Sequence, residues 1–149
     1  MDAAIYNCPA EWENLLPAGT RRVRQAEDLM EHIWPLLALT PGGCQALPEG
    51  QGGIVCRVLL APGDCRTALT CVRAETVISY GLSPRDSLTL SSLANPMLCV
   101  QRALPRLDGT VIDPQELPLP PLPGPAEVLL PLLGLRLLQM PLTGSPFIW

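Results

Sequence analysis

A chain of 149 residues, 48% apolar and carrying 18 prolines, is sized for one packed domain of short elements, which excludes disorder and a long helix bundle. The formal charge is −4 and every one of the ten Lys/Arg positions is arginine. That excludes lysine Schiff-base and P-loop chemistry, and it argues against a nucleic-acid binder that works by neutralising phosphates.

The first residues, Met-Asp-Ala-Ala-Ile-Tyr-Asn-Cys-Pro, lack the basic region and apolar run of an export signal, so the expected compartment is the cytoplasm. Ala3 to Tyr6 reads as a strand, followed by one or two helical turns around Trp12 that end at Pro17. Arg21, Arg22 and Arg24, with Glu27, Asp28 and Glu31 close behind, read as a solvated helix start. Leu29, Ile33, Leu36 and Leu37 recur at helical spacing, which predicts a helix over residues 25–39, kinked or shortened by Pro35. Residues 40–53 carry five glycines and two prolines and read as a surface loop.

Residues 54–60, Ile-Val-Cys-Arg-Val-Leu-Leu, form an apolar run suited to a strand covered on both faces. A turn at Pro62-Gly63-Asp64 leads to a short helix over 65–72, with Asp64 as its expected N-cap, and then to a strand over 76–80. This is a βαβ unit, so the two strands should lie parallel in one sheet. From Ser87 the apolar period becomes two; strands near 88–92 and 97–101 and a turn at Asp108-Gly109 predict an antiparallel extension. Six prolines in residues 114–125 predict a stiff extended connection. Residues 126–139 are apolar on nearly all sides, as helix or strand, and the tail Phe147-Ile148-Trp149 is apolar too. No apolar stretch reaches the ~20 residues of a bilayer span. The expected architecture is α/β: a two- or three-layer mixed domain over 1–125, and an apolar element over 126–149 that docks on it or on a partner.

The stretch Leu60-Ala61-Pro62-Gly63-Asp64, the strand end Ile78-Ser79-Tyr80-Gly81-Leu82 and the run Ser83-Pro84-Arg85-Asp86-Ser87-Leu88-Thr89 carry a resemblance. Together they resemble the closing part of the central domain of the Mur ligase superfamily, the ATP-dependent amide-bond formers of cell-wall synthesis. With Gln101-Arg102 and residues 111–116 added, the pattern is also similar to small proteins of clostridia-like bacteria, which implies a bacterial source. The ligase resemblance implies a Gly-rich loop with lysine and upstream acidic and histidine metal ligands. This chain has no lysine, and its one histidine, His32, stands without partners in the sequence. The implied role is a scaffold of that architecture, not a ligase.

Of the six cysteines (Cys8, Cys44, Cys56, Cys65, Cys71, Cys99), Cys65 has the sharpest catalytic context: a helix start with Arg66 and Arg73 nearby. A phosphatase loop needs arginine six positions later, where Cys71 stands, so the expectation is a packed thiol. The same holds for the others, since cytoplasmic cysteines are ordinarily reduced. No two cysteines stand two to four residues apart, so no zinc site is expected. Gly42-Gly43 and Gly50 to Gly53 do not link a strand to a helix start, so no phosphate cradle is expected there. Asp64, Tyr80, Ser83, Arg85 and Asp86 remain. They should meet at the carboxyl ends of parallel strands, where open α/β sheets bind ligands. The expected function is a non-catalytic binding or assembly module without cofactor, with possible self-association through the C-terminal segment. The alternative is a small ligand-binding domain or enzyme acting on a nucleotide-like or phosphorylated metabolite.

Overall fold

The computed structural model describes residues 3–48, 52–142 and 145–149. Ten strands are β1 (Ala3–Tyr6), β2 (Thr20–Val23), β3 (Ile33–Leu39), β4 (Ile54–Pro62), β5 (Val72–Tyr80), β6 (Leu88–Leu90), β7 (Met97–Val100), β8 (Leu104–Pro105), β9 (Val111–Ile112) and β10 (Gln115–Pro118). A 3-10 helix spans Ala10–Leu15, and the α-helices are α1 (Ala26–Leu29), α2 (Pro41–Gln45), α3 (Arg66–Cys71) and α4 (Ala126–Gln139). The main sheet has eight strands in the order β10-β7-β6-β5-β4-β3-β1-β2. Strands β2 to β6 of that order run parallel, and β7 and β10 pair antiparallel beyond them. The fold is α/β, as expected, and the βαβ unit is in place: Ile54 pairs with Val72 and Pro62 with Tyr80.

Several local expectations are corrected. The helix over 25–39 is only α1; residues 33–39 form β3, in the middle of the sheet. From Trp34 onward the strand sends side chains into both core clusters, so the apolar spacing that mimics a helix is that of an interior strand. Arg21 and Arg22 lie on β2, at the sheet edge, where charge discourages further strand pairing. Residues 41–45 form α2 within the expected loop, capped by Thr40, whose hydroxyl accepts from the Gly43 N–H at 2.9 Å. Residues 49–51 lie outside the described residues. Strand β6 joins β5 in parallel, at Tyr80–Leu88 alone, so the antiparallel extension begins one strand later than expected. The proline-rich connection includes β10, which pairs with β7 at the other edge.

Pro35 sits in an interior strand, where it cannot donate to a ladder. The pairing accordingly skips Pro35–Arg57 and Arg57–Glu75. Side-chain alternation slips by one at the same level: Trp34 and Cys56 face one core cluster, Leu36 and Val58 the other.

Helices cover both faces. Leu29 of α1, Leu47 after α2, and Ala68 and Cys71 of α3 pack with Tyr6, Leu37, Leu39 and Leu59 on one side. On the other, α4 lies on β3 to β6 and buries Leu129, Leu130, Leu132, Leu133, Leu135, Leu137 and Leu138 against Ile5, Leu60, Ile78 and Leu88. Gly134 permits that approach, because a methyl there would stand 2.7 Å from the Leu60 side chain. The segment after residue 125 is thus a helix of the core, and Phe147 of the tail is buried with it. Among the described residues, no helix is long and apolar enough to cross a membrane.

Candidate functional site

At the carboxyl edge of β4 and β5 the chain leaves the sheet twice in succession. Pro62-Gly63-Asp64 turns towards α3, and Gly81 to Ser87 loops towards β6. Between these turns, α2 and the first turn of α4 lies an open cleft of about 650 Å³. Asp64, Tyr80, Ser83, Arg85 and Asp86, the five residues expected from the sequence, all line it. Pro41, Leu82, Glu127 and Leu130 complete much of the wall. Glu127 and Leu130 were not expected there, because nothing in the sequence says which end of the sheet α4 begins at.

The side chains that approach catalytic chemistry are committed to structure. Tyr80 is buried and its hydroxyl donates to the Leu39 carbonyl at 2.6 Å, across the end of β4. Burial, and secondarily the Asp64 carboxylate, hold its ionisation far above the ordinary tyrosine range. The hydroxyl is a tether between strand ends, not an acid poised near neutrality. Asp86 is 6% exposed; one carboxylate oxygen accepts from the Ser83 N–H at 3.1 Å, and its own N–H donates to the Ser83 carbonyl at 3.0 Å. Its carboxylate fills the space that side chains at Gly63 and Gly81 would need. The Ser83 hydroxyl accepts from the Arg85 N–H at 3.2 Å, and Arg102 donates to the Arg85 carbonyl at 2.8 Å. Asp86 and Ser83 therefore shape the loop, and Gly63 and Gly81 are glycines because a carboxylate occupies their side-chain space.

Asp64, Arg85 and Glu127 are exposed at the cleft. The Arg85 guanidinium has no ion-pair partner among the described residues. Asp64 is not the helix cap expected of it. The helix starts one residue later, at Arg66, so the capping position falls to Cys65, and no side chain caps it. Cys65 is also not a thiol: it is bonded to Cys44 in α2, with the Cα atoms 6.0 Å apart. The expectation of a free Cys65, and of free Cys44, is overturned because β3 and β4 end side by side and bring α2 onto α3. Sequence spacing, 21 residues apart, carries no sign of that pairing.

The remaining cysteines do not make a reactive centre. Cys56 is buried and its thiol is pushed up to about 12 by desolvation. Cys8 and Cys99 are also raised, by burial first. Cys71 donates to the Pro48 carbonyl at 2.8 Å. His32 is exposed in the turn before β3, its ring edge-on to Trp34 at 5.1 Å. Among the described residues no three His, Cys, Asp or Glu side chains converge as metal ligands. Compared with known protein families, curated proteins and solved structures, the chain has no significant match. The likeness to Mur ligases rests on the quoted residues alone.

Proposed function

We propose that this chain is a cytoplasmic, non-catalytic binding or assembly module of a bacterium, and that its binding surface is the cleft at the ends of β4 and β5. One observation carries the reading: the cleft is open, yet its tyrosine, one of its carboxylates and the adjacent cysteine are each spent on internal bonds. What remains free towards the cleft is Arg85, Asp64 and Glu127 beside apolar Leu82 and Leu130. That is a recognition surface with both charges and some apolar area. A thermal-shift screen of small molecules in anionic, cationic and neutral classes tests it. A stabilising compound whose effect is lost in both Arg85→Ala and Glu127→Gln supports the reading. Turnover of any hit would overturn the non-catalytic part, and a screen without hits at millimolar concentrations would count against the cleft.

The second reading, a nucleotide-like or phosphorylated ligand, is favoured by the unpaired Arg85. It is opposed by the cleft's three carboxylates, and by backbone N–H groups already given to Tyr80, Leu88 and Ser83 acceptors. Nucleotides that stabilise the wild type but not Arg85→Ala would favour it. Assembly through the C-terminal segment, in this proposal, falls to the exposed Leu142, Ile148 and Trp149, because α4 is occupied by the sheet. Light scattering of Ile148→Asp against wild type tests that element, a fall in mass being expected.

A further inference from the structure

We propose that the Cys44–Cys65 disulfide is a redox-sensitive latch that fixes the Asp64 wall of the cleft. The inference rests on the cleft being the binding surface, and on the proposed cytoplasmic compartment, where protein disulfides are exchanged and not permanent.

The disulfide links two segments that each line the cleft elsewhere. Pro41, the first residue of α2, lines the cleft three positions before Cys44, and Asp64 lines it one position before Cys65. The two sides are held very differently. Thr40 caps α2 and its hydroxyl lies 2.9 Å from the Asn7 carbonyl and 3.2 Å from that of Tyr6, at the end of β1. The Tyr6 hydroxyl donates to the Ala46 carbonyl just past α2. Gly43 lies so close to the Tyr6 carbonyl that a methyl there would overlap it. So α2 is pinned to β1 without help from its sulfur.

The Asp64 side lacks such ties. Cys65 N–H donates to the Pro62 carbonyl and Arg66 N–H to that of Asp64, both bonds within the same turn. Gly63 N–H donates to Tyr80, which holds the first residue of the turn only. The far end of α3 is anchored by Cys71 on Pro48. Among the described residues, no hydrogen bond ties Cys65 beyond its turn and α3, so besides its apolar packing the disulfide is its cross-link to α2. Opening it should release residues 64–66 and leave α2 in place.

The chemistry is ordinary thiol–disulfide exchange with a dithiol reductant. Its thiolate attacks the Sγ of Cys44, the more exposed of the pair, and Cys65 leaves as a thiolate that takes up a proton. The second thiol of the reductant then displaces Cys44, and the reductant departs as its own disulfide. Two electrons and two protons pass to the protein.

Amide hydrogen exchange on the intact chain, oxidised and then reduced with dithiothreitol, tests the latch without any ligand. Reduction should speed exchange at Cys65 and Arg66, whose N–H groups are bonded, by about tenfold or more, and at Gly43 and Cys44 by less than about twofold. Cys44→Ser, without reductant, should reproduce the reduced pattern. Free thiols at both positions after aerobic purification would overturn the proposal. So would equal loosening of both sides, unchanged exchange at Cys65 and Arg66, or global unfolding on reduction. Failure of the binding reading would show separately, as no ligand response in either redox state.

Discussion

Arg136 is a buried cation with no carboxylate near enough for an ion pair among the described residues. Its guanidinium donates to the carbonyls of Pro146, Leu15 and Ile148 at 2.6 to 2.8 Å, and it lies 4.3 Å from the Trp149 ring centroid. One side chain on α4 thus ties the tail to the last residue of the 3-10 helix. Removing it leaves carbonyl groups unpaired, each costing about 1–3 kcal/mol where buried. Arg136→Met should therefore lower unfolding free energy by roughly 3 kcal/mol or more in urea titration, and Arg136→Lys should recover only part, since an ammonium cannot reproduce the fork. A loss below about 1 kcal/mol would mean that water replaces the guanidinium. Gly63 poses the converse case, since its missing methyl is space held by the Asp86 carboxylate. Gly63→Ala should cost roughly 1–3 kcal/mol by overpacking. In an Asp86→Ala background it should cost much less, because the two changes share one volume. Additive losses in urea titrations of the four-member cycle would show that the carboxylate does not set the glycine.

At the scale of elements, Arg106 shows how a two-residue hairpin is made worthwhile. From β8–β9 its guanidinium donates to the Leu137 and Met140 carbonyls at the end of α4, and to Asp108 and Thr110 of its own turn. Cation and helix end are matched in charge, and otherwise orphaned carbonyls gain donors. Arg106→Ala should cost roughly 2–3 kcal/mol and speed amide exchange in the last turn of α4, while the first turn keeps its protection. Uniform loss along the helix would contradict a capping role. Elements of this kind were unequally legible from sequence. The β4–α3–β5 unit could be read because an apolar run, a Pro-Gly-Asp turn and a second strand follow in order, and parallel pairing is then forced. The same logic brought Asp64, Tyr80, Ser83, Arg85 and Asp86 to one edge. Strand β3 was misread because burial on both faces removes the alternation that separates strand from helix. The Cys44–Cys65 bond and the place of Glu127 depend on how distant elements pack, and no local period encodes that.

For the whole molecule, the feature that unites these parts is a mostly parallel sheet with a buried core cluster on each face, and titratable groups buried within it. Tyr80 ties β5 to β3, Tyr6 ties β1 to the residue after α2, and Cys56 packs beneath α1 to α3. Burial raises the ionisation of all three, with Cys56 pushed up to about 12. Each is neutral when protonated, so the folded state holds its proton at a pH where the unfolded chain has released it. The sign follows: their contribution is intact below the unfolded values, about 8.5 for cysteine and 10 for tyrosine, and is lost as pH climbs towards the folded ones. Stability should be flat through neutrality as far as these groups decide, then fall from about pH 9 with a slope that grows towards roughly 1.4 kcal/mol per pH unit per group. Urea midpoints from pH 7 to 11 measure this on the oxidised chain. Cys56→Ala, although less stable throughout, should make the fall just above about pH 9 shallower without removing it, because Cys8 and Cys99, whose thiols burial also raises, still titrate there. An unchanged slope in that variant would place the responsible group elsewhere and deny that Cys56 helps set the alkaline limit.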